Sequence, residues 1–398
     1  MTEKKLLDEI EEAPHIELNQ DPGSINLSNW DEPANRNWSY RHTTDIFPYT
    51  QEITRGKGQV REFGTKPIDI SSVSVNYRHR DMLLEEYLYE SHCDGFLVVK
   101  ENDIIYENYP RMDAQDRHLC QSVSKTTLCA VIGELIISGA IDPQQNVDHY
   151  IPEVASGFAG IRVQDLLDMN VALKFSEDFT DPDSDIFEYE MISGWHPDRG
   201  GQEEGMLSYL SKIEHDPDFK PDGVTHYLCP NTDMLGCIIE RVSGKRFTEL
   251  FQEKIYKYIG AEADACFSTD ATGMAVCSGG LIIRLRDLAR YAQLYANGGR
   301  AVDGTQVIPL AWIEDCHDTT RGTSYYLGEG YRYHNQMTSN GKAFCHLGVG
   351  GQMLYANAET SVVVVQFSTL SSPANGDLDV GNALYNIADA LSDFLTGR

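Results

Sequence analysis

Ser122-Val123-Ser124-Lys125 puts a hydroxyl and an ammonium three residues apart. On a helix, positions i and i+3 share a face, so a serine opening a helix can hold its hydroxyl beside such a lysine. Serine is a weak nucleophile until a base takes its proton. A lysine serves as that base only where burial and the positive end of a helix favour its neutral form. The chemistry implied is attack on an acyl carbon. The bland alternative is an ordinary N-cap, for which serine is a preferred residue. A second copy of the spacing, Ser339-Asn340-Gly341-Lys342, lies in a glycine-containing stretch without helical pattern. It is set aside because only the first copy opens an apolar helix.

Two further pieces carry chemistry. Tyr227-Leu228-Cys229-Pro230 leads into a helix predicted to start at Asn231 or Thr232. A phenol there can share a proton with a lysine and pass it to a leaving group. Most of the 21 tyrosines will simply be packing residues, so position before the helix is what singles out Tyr227. His346-Leu347-Gly348-Val349-Gly350-Gly351-Gln352 precedes a strand. Glycine-rich edge backbone allows close approach of a substrate and can present an N–H to an oxyanion. His346 alone reads as structural.

The elements that must position these groups are legible in outline. GFLVVKENDIIYENY (95–109) reads as a hairpin turning at Glu101-Asn102-Asp103. After Ser122, Leu128, Val131, Ile132, Leu135 and Ile136 recur at helical spacing up to Gly139. The stretches 231–247 and 284–299 predict helices closed by Gly244 and by Asn297-Gly298-Gly299. Strands 351–359 and 361–369 and an amphipathic helix over 382–397 finish the chain. Strands, then helices, then strands and a helix give an α+β fold: an antiparallel sheet flanked by helices, with an inserted helical region. The expected division is an irregular arm over 1–65, anchored by Trp30, Trp38 and Pro48, an α/β lobe of 66–140 plus 275–398, and a helical lobe of 141–274. At 398 residues the chain exceeds the size of one compact core, about 250–300 residues.

Composition removes several classes. Against 61 acidic residues stand 32 basic ones, a net charge of −29, which repels nucleic acid and anionic membrane surfaces. Nine cysteines without a CxxC pair point away from a disulfide scaffold and toward a reducing, cytoplasmic compartment. The acidic N-terminus lacks the apolar core of a secretory signal, and no run of about 18 apolar residues occurs. GxSxG, HExxH and GxxxxGK[ST] are all absent, so no metal and no cofactor are expected.

The order of the three pieces resembles the serine β-lactamase, DD-peptidase and esterase superfamily, with its SxxK, YxN and KTG or HxG elements. LSNWDEPANRNW, SVSKT, LLDMNVAL, EDFTDPDSDI, SGW and YLCPNTDMLG narrow the resemblance to 6-aminohexanoate-dimer hydrolases and their carboxylesterase relatives, from about residue 27 to the C-terminal helix. The resemblance implies a β-lactamase/transpeptidase-like fold and an acyl-enzyme on Ser122. Lys125 and Tyr227 would share the general acid and base work, with His346 tuning Tyr227 or touching substrate. The oxyanion would sit on the backbone N–H groups of Ser122 and Val349. Phe179, Glu190, Trp195, Cys229 and Gly348 would line the substrate site.

Two departures from that pattern matter. Cys229 stands where β-lactamases have asparagine, which weakens a lactamase reading more than a hydrolase one. No Cys-His-Asn/Asp pattern supports Cys229 as a nucleophile itself. Phe179 stands where nylon-oligomer hydrolases have a tyrosine, which favours esters over linear amides such as 6-aminohexanoate oligomers. The loop Glu177, Asp178, Asp181, Asp183, Asp185, Glu188, Glu190 reads mostly as a solvated charged loop, with Glu190 and its neighbours drawing an amine-bearing substrate. The expected partner is a small ester or amide, with a homodimer among the assemblies allowed. The competing readings are a β-lactamase or DD-peptidase, and a catalytically silent binding protein on the same fold.

Overall fold

Two β-branched, apolar runs from opposite ends of the chain, Cys93–Lys100 and Val362–Ser368, form neighbouring antiparallel strands, with Val363 opposite Val99 and Val365 opposite Leu97. The computed structural model describes residues 17–78, 80–219, 225–318, 323–324, 330–332, 335–336, 343–370 and 378–397. The second Ser-x-x-Lys copy, 339–342, lies outside the described residues. In chain order the strands of the two main sheets are β1 (Thr50–Ile53), β2 (Gly64–Thr65), β3 (Cys93–Lys100), β4 (Asp103–Asn108), β5 (Arg117–Leu119), β6 (Ala265–Ser268), β7 (Leu281–Arg284), β8 (Ala343–Gly348), β9 (Gln352–Asn357) and β10 (Val362–Ser368). The larger sheet runs β8-β9-β10-β3-β4-β2 and is antiparallel except for β2 against β4. The smaller runs β1-β6-β7-β5 and is antiparallel throughout. This is the α+β arrangement expected.

Val362 to Val365 lack the alternation of a half-solvated strand because both faces of the larger sheet are covered. Leu97, Val99, Val363 and Val365 join one core with the helix over Leu285–Ala296. Val98, Val362 and Val364 join a second core with the C-terminal helix, Leu378–Thr396. The hairpin turns through Glu101, which takes the left-handed conformation at φ 57°.

Between β5 and β6 the named elements of the described chain are all helical. Those that build the site are α1 (Lys125–Ile137), α2 (Asp185–Ile192) and α3 (Cys229–Ser243). α3 starts at Cys229, earlier than the sequence suggested, because Pro230 is tolerated in a first helical turn where its missing N–H has no partner to lose. It ends as expected, on left-handed Gly244. No helix among the described residues is long and apolar enough to cross a membrane.

The N-terminal arm departs from the irregular segment expected. Pro33–Ser39 and Thr43–Ile46 are helical, and β1 is an edge strand paired to β6. Trp30 anchors it, packing edge-on against Phe47 and Trp195 and donating its indole N–H to the Trp195 carbonyl at 2.7 Å. Trp38 is half-buried and stacks on His42. Pro48 is exposed, and the neighbouring Phe47 fills the anchor position instead.

His346 sits on β8, 4% exposed, on the same face as Phe344 and within ring contact of Tyr295. Its Nε2 has no hydrogen-bond partner, and burial pushes its pKa down from 6.5 to about 3. The folded protein therefore holds this imidazole neutral while the unfolded chain protonates it below pH 6.5. The sign is that stability is retained above that value and lost as pH falls toward 3. Between pH 7.5 and 5 this site should cost about 2 kcal/mol. Urea unfolding of the wild type and of His346→Leu at both pH values checks it: the fall in stability should be shallower in the variant.

Candidate active site

The chain leaves β5 through Cys120, whose N–H donates to Leu281 O at 2.8 Å. Gln121 then takes a left-handed conformation, φ 50°, which costs a non-glycine residue about 1–2 kcal/mol. Strain of this kind persists only where surrounding contacts enforce it. Residues Gln121–Ser124 form a 3₁₀ turn, and α1 begins only at Lys125. Ser122 thus lies one turn ahead of the helix rather than as its first residue. Ser124 pins the turn to β7, its hydroxyl accepting the Leu281 N–H at 2.9 Å.

The i, i+3 spacing brings the Lys125 Nζ to 3.1 Å from the Ser122 Oγ. Lys125 is 2% exposed, and a buried amine needs partners for its protons. It finds Ser278 O at 2.8 Å and Cys229 Sγ at 3.4 Å, while its Nζ lies 4.8 Å from the centre of the Tyr227 ring. The structure therefore brings Ser122, Lys125, Tyr227 and Cys229 together. Ser122, Tyr227 and Cys229 are each half-buried, so the cluster opens on one side.

The Ser278 carbonyl is aimed by residues the sequence reading missed. Asp233, fully buried on α3, accepts the Ser278 N–H at 3.1 Å and the Ser278 hydroxyl at 2.9 Å. Tyr189 of α2 donates its hydroxyl to the same carboxylate. Burial pushes the Asp233 pKa up to about 6, against the opposing pull of Tyr189, Ser278 and Lys125. The signal in the sequence was an aspartate set among Met234, Leu235, Ile238 and Ile239 on a helix whose first ten residues after Cys229 are buried. Such a residue demands a buried partner.

Glu177 was also missed, having been grouped with a solvated loop. That reading suits Asp178, Asp181, Asp183, Asp185 and Glu188, which are exposed. Glu177 instead turns inward and accepts the N–H of Cys229, the first residue of α3. Burial pushes its pKa up to about 7, with the Cys229 N–H and Lys125 acting the other way. Burial, with Glu177 beside it, also raises the Cys229 thiol far above its ordinary range. The thiol is thus held protonated, against a role as nucleophile.

The remaining expected residues are spread around this cluster. Glu190 bonds His196 at 3.0 Å, and Phe179 lies edge-on to Phe187, which contacts His196 in turn. Burial disfavours the charged form of His196, but the Glu190 bond outweighs it and the pKa rises. Trp195 is a correction: it is 5% exposed, stacked on Phe47, with its indole N–H on Ser268 Oγ at 3.0 Å. It supports the site wall, and a Cβ on Gly279 would come within 2.8 Å of its ring. His346 likewise is buried, within ring contact of Tyr295 and with its Nε2 unbonded.

Gly348 closes the arrangement. A Cβ there would meet Cys120 O at 2.8 Å and Gln121 Cβ at 3.1 Å, so only glycine lets β8 approach the Ser122 turn this closely. Val349 follows at the strand end, its carbonyl held by Gln352 Nε2 at 3.0 Å. Among the described residues, no group of three or more His, Cys, Asp or Glu could hold a metal ion.

Comparison with known proteins finds relatives over most of the chain. The 6-aminohexanoate-dimer hydrolase of Paenarthrobacter ureafaciens is 30% identical over 362 residues, covering 88% of this chain and 90% of the relative. A solved Bacillus anthracis structure, provisionally assigned as a 6-aminohexanoate-dimer hydrolase, superposes with a TM-score of 0.83 at 24% identity, covering 95% of this chain and 99% of that one. A family VIII carboxylesterase superposes with a TM-score of 0.54 at 17% identity, covering 77% of this chain and 95% of that one. The Beta-lactamase family description matches residues 83–386, a stretch that includes the Ser122 turn, the buried lysine and the glycine strand beside them: the chain belongs to the β-lactamase family.

Proposed function

We propose that Ser122 is the nucleophile of an esterase reaction that proceeds through an acyl-enzyme. The observation that carries this reading is the Lys125 Nζ 3.1 Å from the Ser122 Oγ, within a buried cluster that also includes the Tyr227 ring. As Ser122 Oγ bonds to the acyl carbon, its proton passes to the Lys125–Tyr227 pair. The carbonyl oxygen becomes an oxyanion, stabilised by the backbone N–H groups of Ser122 and Val349. The pair then returns the proton to the leaving alkoxide. In the second half, water gives a proton to the pair as its oxygen bonds to the acyl carbon; the bond from that carbon to Ser122 Oγ then breaks, the pair returns the proton to Oγ, and the carboxylic acid leaves.

Small carboxylic esters are the substrate class we favour over linear amides. Phe179 presents an apolar edge beside Phe187 and has no hydroxyl to bond an amide N–H. The acidic mouth supports an amine on the substrate, with Glu177 half-buried and Glu190 compensated by His196. Nine free thiols, eight of them buried, suit a reducing interior, and we read the protein as cytoplasmic.

Hydrolysis of a short p-nitrophenyl ester tests the nucleophile. Ser122→Ala should lose at least about a hundredfold in kcat, in the range expected for an essential catalytic group. Equal rates in wild type and variant would reassign the nucleophile. For the substrate class, KM should be lower by about threefold or more for an ester bearing a primary amine than for its neutral isostere at low salt, and the gap should shrink at 0.5 M NaCl. Equal KM values at low salt would remove the amine from the reading.

A further inference from the structure

The two N–H groups assigned above to the oxyanion belong to segments far apart in sequence, and the distance between them has to be fixed by something other than the chain. The N-terminal arm supplies a candidate. Residues 17–82 lie outside the stretch matched by the family description, which starts at residue 83. Yet Tyr40, with no exposed surface, lies against both segments. Its hydroxyl accepts from the Gln121 Nε2 at 3.0 Å, next to Ser122, and donates to Asp31 Oδ1 at 3.1 Å. Its ring edge would lie 3.7 Å from a Cβ on Gly350, next to Val349. Its own carbonyl accepts the Leu119 N–H at 2.9 Å, at the end of β5.

The polar connections form one continuous path. Asp31 is gripped by Arg36, with Nε on Oδ1 at 3.0 Å and Nη2 on Oδ2 at 3.1 Å. Arg36 Nη1 reaches across to donate to Leu370 O at 2.8 Å. The Leu370 N–H in turn donates to Gly350 O at 3.1 Å. The path Gln121–Tyr40–Asp31–Arg36–Leu370–Gly350 thus spans from the residue before Ser122 to the residue after Val349. Burial and the Asp31 carboxylate keep the Tyr40 phenol protonated, so it has a proton to give to Asp31. The left-handed Gln121 is the point on this path that needs an external hold, since its backbone conformation is unfavourable for a side chain of its kind.

We infer that Tyr40 is a positioning residue for the oxyanion hole: through its bond to the Gln121 amide it holds the Ser122 turn in register with the Val349–Gly350 turn. The role rests on the reading of Ser122 and Val349 given above. It assigns the arm a part in turnover beyond covering the core, because an oxyanion contact displaced by a fraction of an ångström loses much of its effect in the transition state while ground-state binding is largely kept.

The test is a double-mutant cycle on p-nitrophenyl ester hydrolysis with Tyr40→Phe, Gln121→Met and the pair together. Active sites are titrated to an end point with a fluorophosphonate, so that kcat is expressed per labelled site and a misfolded fraction does not count. Each single variant should lose about tenfold or more in kcat with KM within about twofold of wild type, and the double variant should fall no further than the weaker single. Wild-type kcat in the single variants overturns the role, as do losses that multiply in the double. Fewer titrated sites with unchanged kcat per site also overturns it, leaving Tyr40 a folding residue only. Should Tyr40→Phe fail to fold by circular dichroism, Gln121→Met decides alone on the same criterion. A wild type that neither takes the label on Ser122 nor cleaves the ester overturns the reading of Ser122 itself, and the positioning role with it.

Discussion

A lysine head buried beside a serine hydroxyl has to be met by acceptors on every side, and much of the architecture answers that demand. The Ser278 carbonyl faces Lys125 because Asp233 holds both the N–H and the hydroxyl of that residue. Asp233 can remain buried because Tyr189 and Ser278 satisfy it and Lys125 favours its ionised form. Glu177 adds a second inward carboxylate, tied to the first N–H of α3. Both carboxylates lie in a region of low dielectric, and the one ammonium beside them favours the ionised form of each.

What the sequence conveyed well were relations within one element. Ser122 and Lys125 are one helical turn apart, so their contact follows from local geometry even though Ser122 lies in a 3₁₀ turn. Tyr227 could be located because Pro230 and the apolar period after it announce α3. The valine run of β10 announced a strand, and the structure covers it on both faces. Asp233 was visible as an oddity in an apolar helix, but its partner Ser278 is supplied by tertiary folding, which no spacing rule encodes. Glu177 was indistinguishable from Asp178 for the same reason: adjacent acids point opposite ways, and only packing decides which one turns in. Trp195 and His346 were read as site residues by analogy, whereas their large rings are consumed by the core.

The arm lies outside the matched stretch, yet it shares a task with it. The matched stretch supplies the Ser122 turn, the buried lysine and the glycine strand. Trp30 and Phe47 seat the arm by apolar contact with Trp195, and that seating brings Tyr40 and Arg36 to the two turns. Hydrophobic packing, which has little directionality, does the docking, and a few directional bonds then fix atoms to within tenths of an ångström.

The pairing of β3 with β10 has a consequence for how the protein comes into being. Strand β3 leaves the ribosome well before β10, and each is the other's neighbour in the middle of the sheet. Until β10 appears, β3 and β4 have only the two-residue β2 as a further sheet neighbour, a marginal structure in water with apolar side chains on both faces. β8, against which the Ser122 turn packs, is made late as well. A growing chain therefore carries the Ser122 turn through a long stretch of synthesis without the strand that packs against it. Assembly of the central sheet is an event of long loop closure, slow by topology. During that interval the exposed valine-rich edges are the part of the chain most in need of shielding from other nascent chains.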